Sequence, residues 1–172
     1  MKTNLILTFT SPDRPGIVED LTRIVVAHGG NWEESRLARL CGDFAGIARV
    51  EIGDAQVSKL CSDLEQLADK GLAVHWKTTT ETISGPHPSA RLTCSGADHE
   101  GIVSAIAAHL SSAGVNVEER QTSVEPAPIT GTPLFRLDCR LGIPSACDQA
   151  ALAEDLQRLE NDLGVEIQLH TD

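Results

Sequence analysis

The chain is written twice. Residues 7–36, LTFTSPDRPGIVEDLTRIVVAHGGNWEESR, align without a gap on residues 92–121, LTCSGADHEGIVSAIAAHLSSAGVNVEERQ, at a constant offset of 85. Ten of the thirty aligned positions are identical, among them D-x-x-G-I-V and G-x-N-x-E-E. A repeat of this length constrains the fold more than composition does, because each copy must supply the same supersecondary unit. The parallel continues past a loop that is longer in the second copy, SVEPAPITGT. DFAGIARVEI then corresponds to LFRLDCRLGI, and each copy ends with an amphipathic run and a short closing strand.

The hydrophobic periods give the elements of each copy. Leu5, Leu7 and Phe9 alternate with other residues and predict a strand. Ile17, Leu21, Ile24 and Val25 recur at helical spacing, as do Ile102, Ile106 and Leu110, and Gly29 and Gly114 end these helices. NWEESRLARL predicts a second strand, and Phe135, Leu137, Cys139, Leu141 and Ile143 a third. The stripes Val57, Leu60, Cys61, Leu64, Leu67, Ala68 and Leu152, Leu156, Leu159, Leu163 predict a second helix in each copy. Leu72, Val74, Trp76 and Val165, Ile167, Leu169 close the copies.

The order β-α-β-β-α-β, with right-handed crossovers, folds into a ferredoxin-like α+β layer: four antiparallel strands with both helices on one face. The expected organisation is a module over 1–78, a polar linker rich in Gly and Pro over 79–90, and a second module over 91–172. A half of this size leaves one sheet face bare and is marginal alone. Pairing of halves or of chains would cover that face, so a homo-oligomer, a dimer in the simplest case, is expected. Ala45 and Ile47, apolar at outward positions, suit a covered face.

Composition narrows the function. Acidic residues outnumber Lys and Arg by 25 to 14, for a net charge of −11. Nucleic-acid binding rests on Lys and Arg that neutralise phosphates, so direct DNA or RNA binding is not expected, nor is attachment to an anionic membrane. The opening residues alternate as a strand and are too short for a signal peptide, and five cysteines without C-x-x-C spacing fit reduced thiols in the cytoplasm. Cys94 and Cys139 read as small buried hydrophobes, and the paired acids at 33–34 and 118–119 as solvated strand edges. Six scattered histidines show no metal-ligand spacing. No nucleophile elbow, P-loop or dinucleotide fingerprint appears, so neither enzyme chemistry nor a cofactor or metal is expected.

The stretch SPDRPGIVEDL remains. It suits a capped helix, with Asp13 as N-cap, its carboxylate accepting from the Gly16 N–H, and Pro15 in the first turn. It also suits a ligand loop. Gly16 and Gly101 read as lying inside the first helical turn, where propensity prefers Ala by about 1 kcal/mol. A glycine there lets backbone N–H groups meet a carboxylate at the positive end of the helix. An Asn follows each helix, Asn31 and Asn116, offering both donor and acceptor to a zwitterion.

DRPGIV, followed about fifteen residues later by G-x-N inside a repeated β-α-β-β-α-β unit, resembles the ACT domain, a small regulatory module that binds amino acids. Tandem arrangement and length resemble the regulatory proteins of that family over nearly the whole chain. The motif is similar, too, to the ACT module of formyltetrahydrofolate deformylases and some phosphoserine phosphatases, whose catalytic domain has no counterpart here. The resemblance implies a ligand loop at Asp13, Arg14, Pro15, Gly16 and Ile17, with Asn31 facing a neighbouring module. In the second copy it implies Asp98, His99, Gly101, Ile102 and Asn116, where DHEG departs from DRPG and Glu100 would repel a carboxylate.

These readings together lead to the expectation of a non-enzymatic regulator that binds a small amino acid and acts on a protein partner; glycine, with serine next, is the ligand that the resemblance implies. If the output is transcription, a DNA-binding activator would be gripped indirectly. A tandem ACT scaffold without ligand is the alternative.

Overall fold

The computed structural model describes residues 1–80 and 89–171. The expected linker, 79–90, falls for its greater part outside the described residues. The first module runs β1 (Lys2–Pro12), α1 (Ile17–Ala27), β2 (Asn31–Leu40), β3 (Asp43–Gly53), α2 (Val57–Glu65) and β4 (Ala73–Thr79). The second runs β5 (Ser89–Ala97), α3 (Ile102–Ser112), β6 (Asn116–Pro126), β7 (Pro133–Gly142), α4 (Gln149–Leu163) and β8 (Val165–Thr171). Each forms its own compact unit around an antiparallel sheet, ordered β2-β3-β1-β4 and β6-β7-β5-β8. Both modules are thus ferredoxin-like and α+β.

Period-two alternation sends Leu5, Leu7 and Phe9 of β1 and Ala48, Val50 and Ile52 of β3 to one side of the first sheet. There they pack with Ile17, Leu21 and Val25 of α1 and Leu60 and Leu64 of α2. Full burial of each such side chain contributes about 1.5–3 kcal/mol. The second core repeats the scheme with Leu92, Cys94, Leu137 and Cys139 under Ile106 and Leu156. Burial pushes the Cys94 thiol up to about 11, so it behaves as a small hydrophobe.

Local features set the helix ends and bend the outer strands. Gly29 (φ 70°) and Gly114 (φ 69°) follow α1 and α3 in the left-handed region. The stripe of α2 passes into a 3-10 turn over Gln66–Lys70, so Leu67 stays buried while Ala68 turns out to solvent. The paired acids are not simply solvated edges. Both fall at bulges of the outer strand, between Trp32 and Glu34 and between Val117 and Glu119. Arg49 Nε lies 3.0 Å from Glu33 Oε2, and Arg140 Nε lies 3.1 Å from Glu118 Oε2, so the repeated E-E pins each bulge to the neighbouring strand.

The faces away from the helices differ. In the first sheet Ala45 and Ile47 are exposed there, as the alternation predicts. In the second, the matching strand presents Arg136, Asp138 and Arg140.

Candidate ligand-binding site

The turn between β1 and α1 is fixed from the hairpin beside it. Asp13 N–H donates to the Gly42 carbonyl oxygen at 2.8 Å, and Arg39 Nε lies 2.7 Å from Asp13 Oδ2. Arg14 reaches instead toward the helix, where its Nη2 donates to Asp20 Oδ2 at 2.8 Å and its Nη1 to the Pro15 carbonyl at 3.2 Å. Arg23 reaches the same Asp20 carboxylate from one turn further on, at 3.1 Å. The hydrogen bonds from Arg14 first and Arg23 second hold that carboxyl below the usual carboxylate range.

Asp13 therefore does not cap α1, which has no side-chain cap. Its carboxylate is taken by Arg39. The glycines are not inside the first turn either. Gly16 (φ 89°) and Gly101 (φ 97°) are themselves the N-cap residues, both left-handed, and the helices begin at Ile17 and Ile102. The chain must reverse from the strand onto the sheet within a few residues, and a left-handed residue does this at low cost only when it is glycine.

The first intrahelical bond runs from Asp20 N–H to the Gly16 carbonyl at 2.9 Å. The N–H groups of Ile17, Val18 and Glu19 come before it and have no helical acceptor. α4 shows the contrast. There Asp148 Oδ1 accepts from Ala150 N–H at 3.0 Å and Ala151 N–H at 3.1 Å. Both helices that follow the repeated glycine, α1 and α3, lack such a cap.

An open cavity of about 320 Å³ lies at this end of α1. Asp13, Arg14, Gly16 and Ile17 of the loop line it, joined by Val18, Glu19 and Phe44, whereas Pro15 does not. Phe44 comes from β3 and stacks on Phe9 with ring centroids 6.3 Å apart, which ties the cavity wall to the core. Its alternation with Gly46 and Ala48 is the signal that could have found it. Asp20 and Arg39, which hold the loop, carry no such local signal.

Asn31 is not brought to this loop. It opens β2 opposite Glu51, whereas Arg39, beside Asp13, lies near the other end of that strand. At about 3.3 Å per residue the two ends are some 26 Å apart. Asn116 likewise opens β6, opposite Gly142.

The second loop repeats the frame and changes the contents. Asp98 N–H donates to the Pro133 carbonyl at 3.0 Å, as Asp13 does to Gly42. His99 Nδ1 lies 3.0 Å from the Glu100 carbonyl oxygen, and Nε2 lies 2.9 Å from that of Leu163, the last residue of α4. Only an imidazolium donates from both nitrogens. The bond to Glu100 first and that to Leu163 second raise the His99 pKa above its ordinary value.

Residues 3–77 match the ACT domain family. The first module is an ACT domain. Over 164 residues, 94% of this chain and 86% of the relative, it is 26% identical to the glycine cleavage system transcriptional repressor of Escherichia coli K12. The crystal structure of an unknown protein from Galdieria sulphuraria superposes with a TM-score of 0.84 at 31% identity, covering 100% of this chain and 99% of that one. A crystal structure bearing the name glycine cleavage system transcriptional repressor matches with a TM-score of 0.75 and 20% identity, over 100% and 98% of the two chains, a likeness of fold. Both modules are thus covered by these relatives. Among the described residues no His, Cys, Asp and Glu group could hold a metal ion, and no helix is long and apolar enough to cross a membrane.

Proposed function

We propose that this ACT protein is a non-enzymatic regulator that binds glycine, with serine next, at the loop of its first module. Its occupancy is passed to a protein partner, such as a DNA-binding transcriptional activator. The observation that carries this reading is the uncapped start of α1 beneath a cavity of about 320 Å³. The ligand carboxylate would sit on the N–H groups of Ile17, Val18 and Glu19, at the positive end of the helix. Asp13 and Arg14 are already engaged, by Arg39 and Asp20, and so shape the loop rather than meet the ligand. Asn31 reaches a ligand only from a neighbouring module or a second copy, which makes a homodimer part of the proposal. The name of the relative in Escherichia coli supports glycine and a role in transcription. The acidic balance, 25 to 14, favours a protein partner over DNA.

Glycine has five heavy atoms. At about 1.5 kcal/mol per atom its binding reaches roughly −7.5 kcal/mol at the limit, a Kd of a few micromolar at best. Titration calorimetry of the full chain against the twenty amino acids tests the claim. Heat with glycine or serine in the micromolar to millimolar range is expected; silence with all twenty removes the proposal. The scaffold reading is favoured for the second module alone, because His99 fastens that loop to α4.

A further inference from the structure

Three arginines stand on the open face of the second sheet. Arg91 forks onto Asp138, with Nε 3.0 Å from Oδ1, and Arg140 is paired with Glu118 and Glu119. Arg136 has no hydrogen-bond or ion-pair partner among the described residues. The register places Ser95 of β5 and Ser123 of β6 directly on either side of it, and a groove of about 430 Å³ covers all three residues.

We propose that Arg136, with the Ser95 and Ser123 hydroxyls, binds a small metabolite through its single carboxylate in this groove, a site separate from the first-module loop and independent of its function. A guanidinium presents a planar fork that matches a carboxylate through two parallel hydrogen bonds, and flanking hydroxyls complete the acceptors' coordination. Asp138 does not compete for Arg136. The hydrogen bonds from Arg91 hold it ionised, its carboxyl below the usual range. Glu166, opposite Ser95 and accepting from Gln168 Nε2 at 2.7 Å, adds a second negative charge at the rim. Those two charges disfavour a dianion and leave a single carboxylate as the matching ligand. The repeat supplies an internal control. Ala45 occupies the corresponding place in the first sheet, between Thr10 and Ala38, and has no charge to offer.

The test is an amide-resolved NMR titration of the ¹⁵N-labelled full chain with acetate, glycine and phosphate at constant ionic strength. Saturable shifts at Ser95, Ser123 and Arg136 with acetate and glycine alike are expected if the carboxylate alone is read. Shifts there with glycine only assign the site to zwitterions. Arg136→Gln should weaken either by roughly tenfold or more, Arg136→Lys by less, and Arg158→Gln on α4 not at all. No shift on these strands, equal binding by Arg136→Gln, or a preference for phosphate overturns the proposal. Glycine shifts at Ile17, Val18 and Glu19 report on the other loop. Their presence without shifts at Arg136 overturns this site and leaves the proposed function standing.

Discussion

Arg14 Nη2 and Asp20 Oδ2 are joined at 2.8 Å across the first turn of α1, and Arg23 holds the same carboxylate from the other side. The loop is therefore clamped. Its two charged side chains, Asp13 and Arg14, have partners, so recognition at the proposed site would fall to the backbone.

The clamp has a pH signature. The folded Asp20 carboxyl lies below its ordinary value of about 3.9, so its contribution to stability is present above that value and is lost as pH falls through the depressed one. Melting temperature should drop as pH falls below about 4 partly for this reason. In Asp20→Asn that drop should be shallower, with a lower melting temperature at neutral pH. A parallel curve for variant and parent would show that the pair does not contribute.

Gly16→Ala should destabilise, although propensity alone favours alanine in a helix. An added Cβ would meet only Arg14 Nη1, at 3.8 Å, so the cost is conformational. Holding an alanine at φ near 89° costs about 1–2 kcal/mol, several degrees of melting temperature for a module of this size. Gly16→Asn should recover part of the loss, since Asn tolerates the left-handed region better. A rise in melting temperature for Gly16→Ala would place the residue in the helix after all.

Much of this was legible in the sequence, for physical reasons. Leu5, Leu7 and Phe9 mark β1 because a strand alternates its faces, and the copy at Leu92 and Cys94 confirms the period. The duplicated D-x-x-G-I-V located the loop. Its conformation stayed hidden because an unfavourable glycine signals a special backbone without saying which. Asp13 met Arg39, distant along the chain, instead of its own helix, and nothing local marks that pair. The repeated E-E looked solvated because a bulge, set by strand pairing, has no sequence period of its own. The distance of Asn31 from the loop was recoverable from the length of β2.

Gly46 on β3 tests the packing behind the cavity wall. A Cβ there would lie 2.7 Å from Phe9 Cζ and 2.5 Å from Leu37 Cδ2. Leu37 is exposed on the outer strand and can turn away, but Phe9 is buried between Trp32 and Phe44. Gly46→Ala should therefore cost about 1–3 kcal/mol by overpacking. Chemical denaturation should show a lower midpoint with an unchanged slope. Pairing the change with Phe9→Leu should restore part of the loss, and strict additivity of the two would mean that the clash does not occur.

His99 gives the second module a pH response of opposite sign to that of Asp20. Its imidazolium donates to the carbonyls of Glu100 and Leu163, and the C-terminal end of α4 favours a cation on electrostatic grounds. With the folded pKa above the ordinary 6.5, this contribution is fully present below about pH 6.5 and is lost as pH rises through the folded value. On deprotonation one ring nitrogen becomes an acceptor facing a carbonyl, so one of the two bonds must break. Hydrogen exchange should then report faster opening of the Asp98–Gly101 turn at about pH 8 than at pH 6, after correction for the intrinsic rate. His99→Gln, which can donate through its amide but does not titrate in this range, should abolish the difference. If the variant keeps the parent's pH dependence, the histidine is not the group that fastens the loop.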